Sequence, residues 1–87
     1  MKKTITLTIA GTDFSFTVTA DDYNNYMNAL MPNDKVAPAH QLVVRTVAST
    51  QKEALAELLE SNSGAAMVIA GSLITEFAPK LEISVKK

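Results

Sequence analysis

The feature that most narrows what this chain can fold into is the strict alternation of its opening stretch. Ile5, Leu7 and Ile9 fall on one side and Thr4, Thr6 and Thr8 on the other. After Gly11, Thr12 and Asp13 the pattern resumes, with Phe14, Phe16 and Val18 opposed by Ser15 and Thr17. Two period-2 runs around a short Gly/Asp turn predict a β-hairpin with one apolar and one wet face. That apolar face needs a cover, which the rest of the chain has to supply.

The next signals are helical. Thr19 is placed to accept from an early backbone N–H, and Asp21 and Asp22 sit at the positive end of the dipole. Tyr23, Tyr26, Met27 and Leu30 follow at i, i+3, i+4 and i+7, with Asn24, Asn25 and Asn28 outside, until Pro32 ends the helix near Leu30. Pro38 suits the first turn of a second helix, whose buried side is Val43, Val44 and Val47. Thr50 to Glu53 has the form of a capping box opening a third helix, with Ala54, Leu55, Leu58 and Leu59 facing in. Residues 61–64 break the chain, and Asn62 or Ser63 is a candidate cap for an apolar fourth helix that stops before Pro79. Leu81, Ile83 and Val85 then alternate with Glu82 and Ser84, the pattern of a third strand.

The expected fold class is therefore α+β. It is a two-layer sandwich in which a three-stranded sheet, the N-terminal β-hairpin plus the C-terminal strand, is covered by about four helices in the order β-β-α-α-α-α-β. The last strand is expected beside the first, giving the sheet order 2-1-3. With 87 residues there is room for one core, so residues 1–87 are expected to form a single domain. Hydrophobic residues make up 47% and charged residues 20%, which is the balance of a folded globule and not of a disordered tail.

Composition also removes several function classes. No cysteine is present, which excludes disulfides, thiolate metal sites and cysteine nucleophiles. A formal net charge of −1 gives no basic field for nucleic acid; the lysines Lys2, Lys3, Lys86 and Lys87 come without interleaved aromatics or arginine and read more simply as solubilising strand ends. The run from Gly64 to Ala78 is shorter than the roughly 20 residues a membrane span requires and contains Ser72, Thr75 and Glu76. The threonines after Lys2 and Lys3 interrupt what would be the apolar core of a signal peptide. A protein of the cytoplasm, without membrane association, is the expectation.

The stretch MPNDKVAPAHQLVVRT, residues 31–46, holds the chain's only histidine and only arginine. His40 is the one candidate imidazole base, but it has no nucleophile motif around it and no assignable acid to orient it. Asp21 and Asp22 are explained by the helix dipole, and Glu53, Glu57 and Glu60 lie on an outer helical face, so no ligand cluster for a metal forms. Gly11, Gly64 and Gly71 are too far apart for a phosphate cradle. No catalytic, cofactor-binding or metal-binding residue is assigned. The stretch reads as an architectural joint between two prolines.

Two features suit an interaction protein instead. Glu53, Glu57 and Glu60 form an acidic stripe without i+4 lysines, either a solvated face or a dock for a basic partner. The fourth helix is apolar nearly all round, which a small two-layer domain has difficulty covering from within. Met67, Val68, Leu73 and Ile74 are accordingly candidate protein-binding residues, for a client or for self-association into a homo-oligomer.

The joint also carries a family pattern. Met31-Pro32-Asn33, then Lys35 to His40, then Arg45-Thr46-Val47 resemble a family of small phage tail assembly chaperones. The similarity extends to KKTITLTIAG and Asp22-Tyr23-Asn24 at the start, and to Glu76 to Pro79 and Leu81 to Ile83 at the end. No catalytic or ligand residue comes with the resemblance. It implies a non-enzymatic protein of a phage or prophage, made in the cytoplasm of the bacterial host, that holds the long helical tape measure protein during tail assembly and is absent from the finished tail. A minor structural protein that stays in the particle and a small nucleic-acid-binding regulator are the alternatives.

Overall fold

A computed structural model describes residues 2–78 and 83–86. The alternating stretch forms strands β1 (Lys2–Ile9) and β2 (Thr12–Thr19), paired antiparallel with Leu7 opposite Phe14 and Ile5 opposite Phe16. This register puts both apolar sets on one face. On the other, threonine and serine hydroxyls meet across the ladder, Thr4 with Thr17 and Thr6 with Ser15 at 3.3 Å each, while Thr8 donates to Asp13 at 2.6 Å. The turn is tighter than the sequence predicts. It consists of Ala10 and Gly11 at φ 52° and 84°, so Thr12 and Asp13 already belong to β2. Positive φ at both central residues matches the right-handed twist of a two-residue hairpin.

Helix α1 (Ala20–Ala29) starts where the sequence places it. The Asp22 amide donates to the Thr19 hydroxyl at 3.1 Å and the Thr19 amide donates back to the Asp22 carboxylate at 3.0 Å. Helix α2 (Val36–Thr46) follows, with Pro38 buried in its first turn. A 3-10 turn at Ser49–Gln51 leads into α3 (Lys52–Ser61), and α4 (Ala65–Phe77) begins after Gly64 at φ 82°. Neither α3 nor α4 has a side-chain N-cap. Asn62 instead closes the end of α3, donating to the Leu58 carbonyl at 2.9 Å.

The predicted capping box at Thr50 is absent because the neighbouring Gln51 is used elsewhere. Its side chain lies along the outer edge of β2, accepting from the Ser15 amide at 2.9 Å and donating to the Asp13 carbonyl at 2.7 Å. The Ala48 amide donates to the Ser15 carbonyl at 2.8 Å beside it. Residues 47–51 thereby occupy the strand edge that would otherwise offer unpaired polar groups.

The core lies between the apolar face of the hairpin and the helices. Phe14, Phe16, Val18, Val43, Ala70 and Leu73 are all buried to 2% exposure or less. Burying each large side chain among them contributes about 2–3 kcal/mol before entropy is counted. Helices α2 and α4 make the most extensive helix–helix contact. Tyr23 of α1 stacks on Phe77 of α4 with ring centroids 5.7 Å apart.

The α+β class stands, but the three-stranded sheet does not. Among the described residues the sheet has two strands, β1 and β2. Ile83 and Val85, expected in a C-terminal strand, are in residues without regular structure and are 82% exposed each; Leu81 and Glu82 of that expected strand lie outside the described residues. Alternation gives a segment two faces without providing a neighbour to pair with. The helices already bury Phe14, Phe16 and Val18, so closing the core does not require Ile83 and Val85.

Candidate protein-binding surface

The joint at residues 31–46 is structural in its geometry. Met31 and Asp34 exchange backbone hydrogen bonds at 3.0 and 3.2 Å, which closes the turn between α1 and α2. Arg45 reaches the Asp22 carboxylate at 3.8 Å, so Asp22 both caps α1 and ties it to α2. Between those helices is a space of about 30 Å³, lined by Tyr26, Pro38 and Leu42 among others, with room for little more than a water molecule. His40 is exposed on the far side of α2. Among the described residues no three of the His, Asp and Glu side chains group together as metal ligands would.

The apolar candidates divide according to the faces of α4. Leu73 is fully buried beside Ile69 and Ala70, and Ile74 is half-buried against the same core. Met67 and Val68 point away from it, at 40% and 71% exposure. Gly71 lies on the exposed side of the helix, where an added Cβ would meet nothing within 4 Å. The helix is one-sided despite its composition, and its open side carries Met67, Val68, Gly71, Ser72 and Thr75.

Val68 is on the rim of a groove of about 390 Å³. Its walls are the hairpin tip (Ile9, Ala10), the end of α3 (Leu58, Asn62) and the start of α4 (Gly64, Val68, Ile69). The contribution of Ile9 and Ala10 is invisible to sequence reasoning, since it depends on the tip folding over the α3–α4 turn. A second groove, of about 380 Å³, lies on the other flank of α3 and is lined by His40 and Val44 from α2 and by Lys52, Leu55, Leu59 and Glu60 from α3. α3 is the wall between the two.

Glu53, Glu57 and Glu60 are all exposed, and none is ion-paired among the described residues. Like charges at i+3 and i+4 destabilise a helix by about 0.2–0.5 kcal/mol per pair. Glu60 is also in the last turn of α3, where the helix dipole is negative and no basic residue is present. The contrast with the neighbours is clear. Lys52 donates to the Val44 carbonyl at the end of α2 at 3.1 Å, and Lys3 donates to the Glu76 carbonyl at the end of α4 at 2.8 Å.

Among the described residues no helix is long and apolar enough to cross a membrane. In comparison with known proteins, the profile of a family described as phage tail assembly chaperone matches residues 5–87. The chain is 35% identical over 86 residues to an uncharacterized 11.3 kDa protein in the lys 3' region of Haemophilus phage HP1 (strain HP1c1), covering 99% of this chain and 83% of the phage protein. No solved structure matches.

Proposed function

Because the chain belongs to the phage tail assembly chaperone family, we propose that it is a non-enzymatic chaperone that binds the tape measure protein during tail assembly, in the cytoplasm of the bacterial host. The observation that carries this reading is the pair of exposed apolar residues on α4, Met67 and Val68, with Val68 lining a groove walled by Ile9, Leu58 and Ile69. Val68 is 71% exposed beside Ile9, Leu58 and Ile69, a shape that takes the apolar ridge of an amphipathic helix. Met67 next to it, 40% exposed, has the flexible side chain that can repack around apolar ridges of different shape. Leu73 and Ile74 support that surface from beneath, as core.

Burying Val68 against a client contributes about 1.5–2 kcal/mol, and a lysine there would place a charge in an apolar contact. The test is co-expression with the tape measure protein of the same genome, followed by pull-down and a solubility assay. Wild-type chain should keep the client soluble and co-purify with it. Val68→Lys, checked for native circular dichroism, should lose at least about tenfold in affinity. A tape measure protein that stays insoluble and unbound beside well-expressed wild-type chain would overturn the reading, as would detection of the chain by mass spectrometry as a stoichiometric component of purified particles.

A further inference from the structure

We propose that the outer edge of β1 pairs antiparallel with β1 of a second copy of this chain, about a two-fold axis at Thr6, so that two hairpins form one four-stranded sheet. The two edges of the hairpin differ. On β2 the outward backbone groups are those of Asp13 and Ser15, and Gln51 and Ala48 satisfy them. Thr8 and Thr6 stand opposite Asp13 and Ser15, and Thr4 opposite Thr17 in the same phase, so the amides and carbonyls of these threonines point outward from β1. Among the described residues no hydrogen bond reaches those groups. The stretch from Thr4 to Ile9 carries no charge, proline or bulge, the devices that blunt an edge. Leu7 and Ile9 within it are only half-buried.

The occupant follows from what this edge complements. Placing Thr6 opposite Thr6 of the second copy sets Thr4 against Thr8 and Ile5 against Leu7, so hydroxyls meet on the wet face and apolar side chains on the other. Antiparallel pairing also parts the like charges. Lys2 of each copy comes to the hairpin tip of the other, where Asp13 lies on the same wet face as Thr8. The Asp13 carboxylate accepts from the Thr8 hydroxyl at 2.6 Å, which holds it toward the β1 edge. Lys2 and Asp13 are both exposed, and neither is ion-paired among the described residues. A parallel pairing would instead bring the lysines of the two copies together. The two-fold arrangement is also closed. Both outer edges of the joined sheet are β2, already covered by residues 47–51, so no open edge remains to recruit a third chain.

Light scattering after size exclusion reads the mass in solution, and wild type should give twice the 9.3 kDa of one chain. Thr6→Pro removes one outward N–H and leaves the β1–β2 ladder intact, while Thr6→Asp sets two like charges about 5.5 Å apart across the axis. Each variant, checked for native circular dichroism, should shift to monomer at the same concentration. An equimolar mixture of Thr6→Asp and Thr6→Lys should dimerise again. Because the chain has no cysteine, Thr6→Cys supplies a single thiol that should oxidise to a covalent dimer. Thr17→Cys, on β2 and at least about 14 Å from its counterpart, should not. A monomeric wild type, a dimer that survives both Thr6→Pro and Thr6→Asp, or cross-linking at Thr17 in preference to Thr6 would overturn the proposal. The α4 reading is tested separately: Val68→Lys should leave the dimer intact, and its effect on client binding bears on that reading alone.

Discussion

Replacing Gln51 tests whether the outer edge of β2 is held by a single side chain. Gln51→Ala removes two hydrogen bonds, the acceptor for the Ser15 amide and the donor to the Asp13 carbonyl. Each is worth about 0.5–1.5 kcal/mol net, and both backbone groups reach water once the side chain is gone, so the expected loss is about 1–2 kcal/mol. For a chain of this size that lowers the melting temperature by roughly 4–8 °C per kcal/mol. Gln51→Glu gives a sharper answer. It keeps the length and one acceptor for Ser15, but replaces a donor 2.7 Å from the Asp13 carbonyl with a second acceptor. It should therefore cost at least as much as alanine. Urea unfolding followed by circular dichroism reads the stability, and amide hydrogen exchange at Ser15 reads the bond itself. The alanine variant should speed exchange at Ser15 more than at residues in the centre of α2. A Glu variant as stable as wild type, or unchanged Ser15 exchange in the Ala variant, would show that the Gln51 contacts do not hold the strand edge.

Two further substitutions probe local geometry. Ala10→Asn should raise stability by about 0.5–1 kcal/mol in the same urea titration, because Ala10 sits at φ 52°, where asparagine is tolerated and alanine is strained. Thr19→Ala should lower stability by about 1 kcal/mol by removing the hydroxyl half of the cap on α1, and the loss should be accompanied by faster exchange of the Asp22 amide.

Where a pattern depends only on neighbours in sequence, it survived folding. The alternation of Ile5, Leu7, Phe14 and Phe16 set the strands and their inner face, and Thr19 with Asp22 set the start of α1. Where the outcome depends on a distant element, local pattern misleads. Thr50 and Glu53 have the letters of a capping box, but Gln51 between them is drawn to β2 and the helix starts at Lys52 without a cap. The turn contracted from Gly11, Thr12 and Asp13 to Ala10 and Gly11, because Thr12 and Asp13 pair across the ladder with Ile9 and Thr8. Alternation around Ile83 and Val85 describes a strand without naming a partner. The composition of α4 hid its sidedness: Leu73 and Val68 look alike as letters, and only packing against α2 and the hairpin puts one inside and the other out. The candidate surface was legible to that extent, as a helix with apolar residues to spare, while the hairpin tip that lines the adjoining groove was not.

α3 is held to the molecule by Leu55, its one buried residue, with Leu58 and Leu59 half-covered. Pulling Leu55 out of the core costs about 2–3 kcal/mol, well below the 5–15 kcal/mol that typically separates a whole domain from its unfolded state. If α3 opens separately from the hairpin, α2 and α4, its amides should exchange faster than those in the centre of α2. Because α3 is the partition between both grooves, their widths are a single mechanical coordinate.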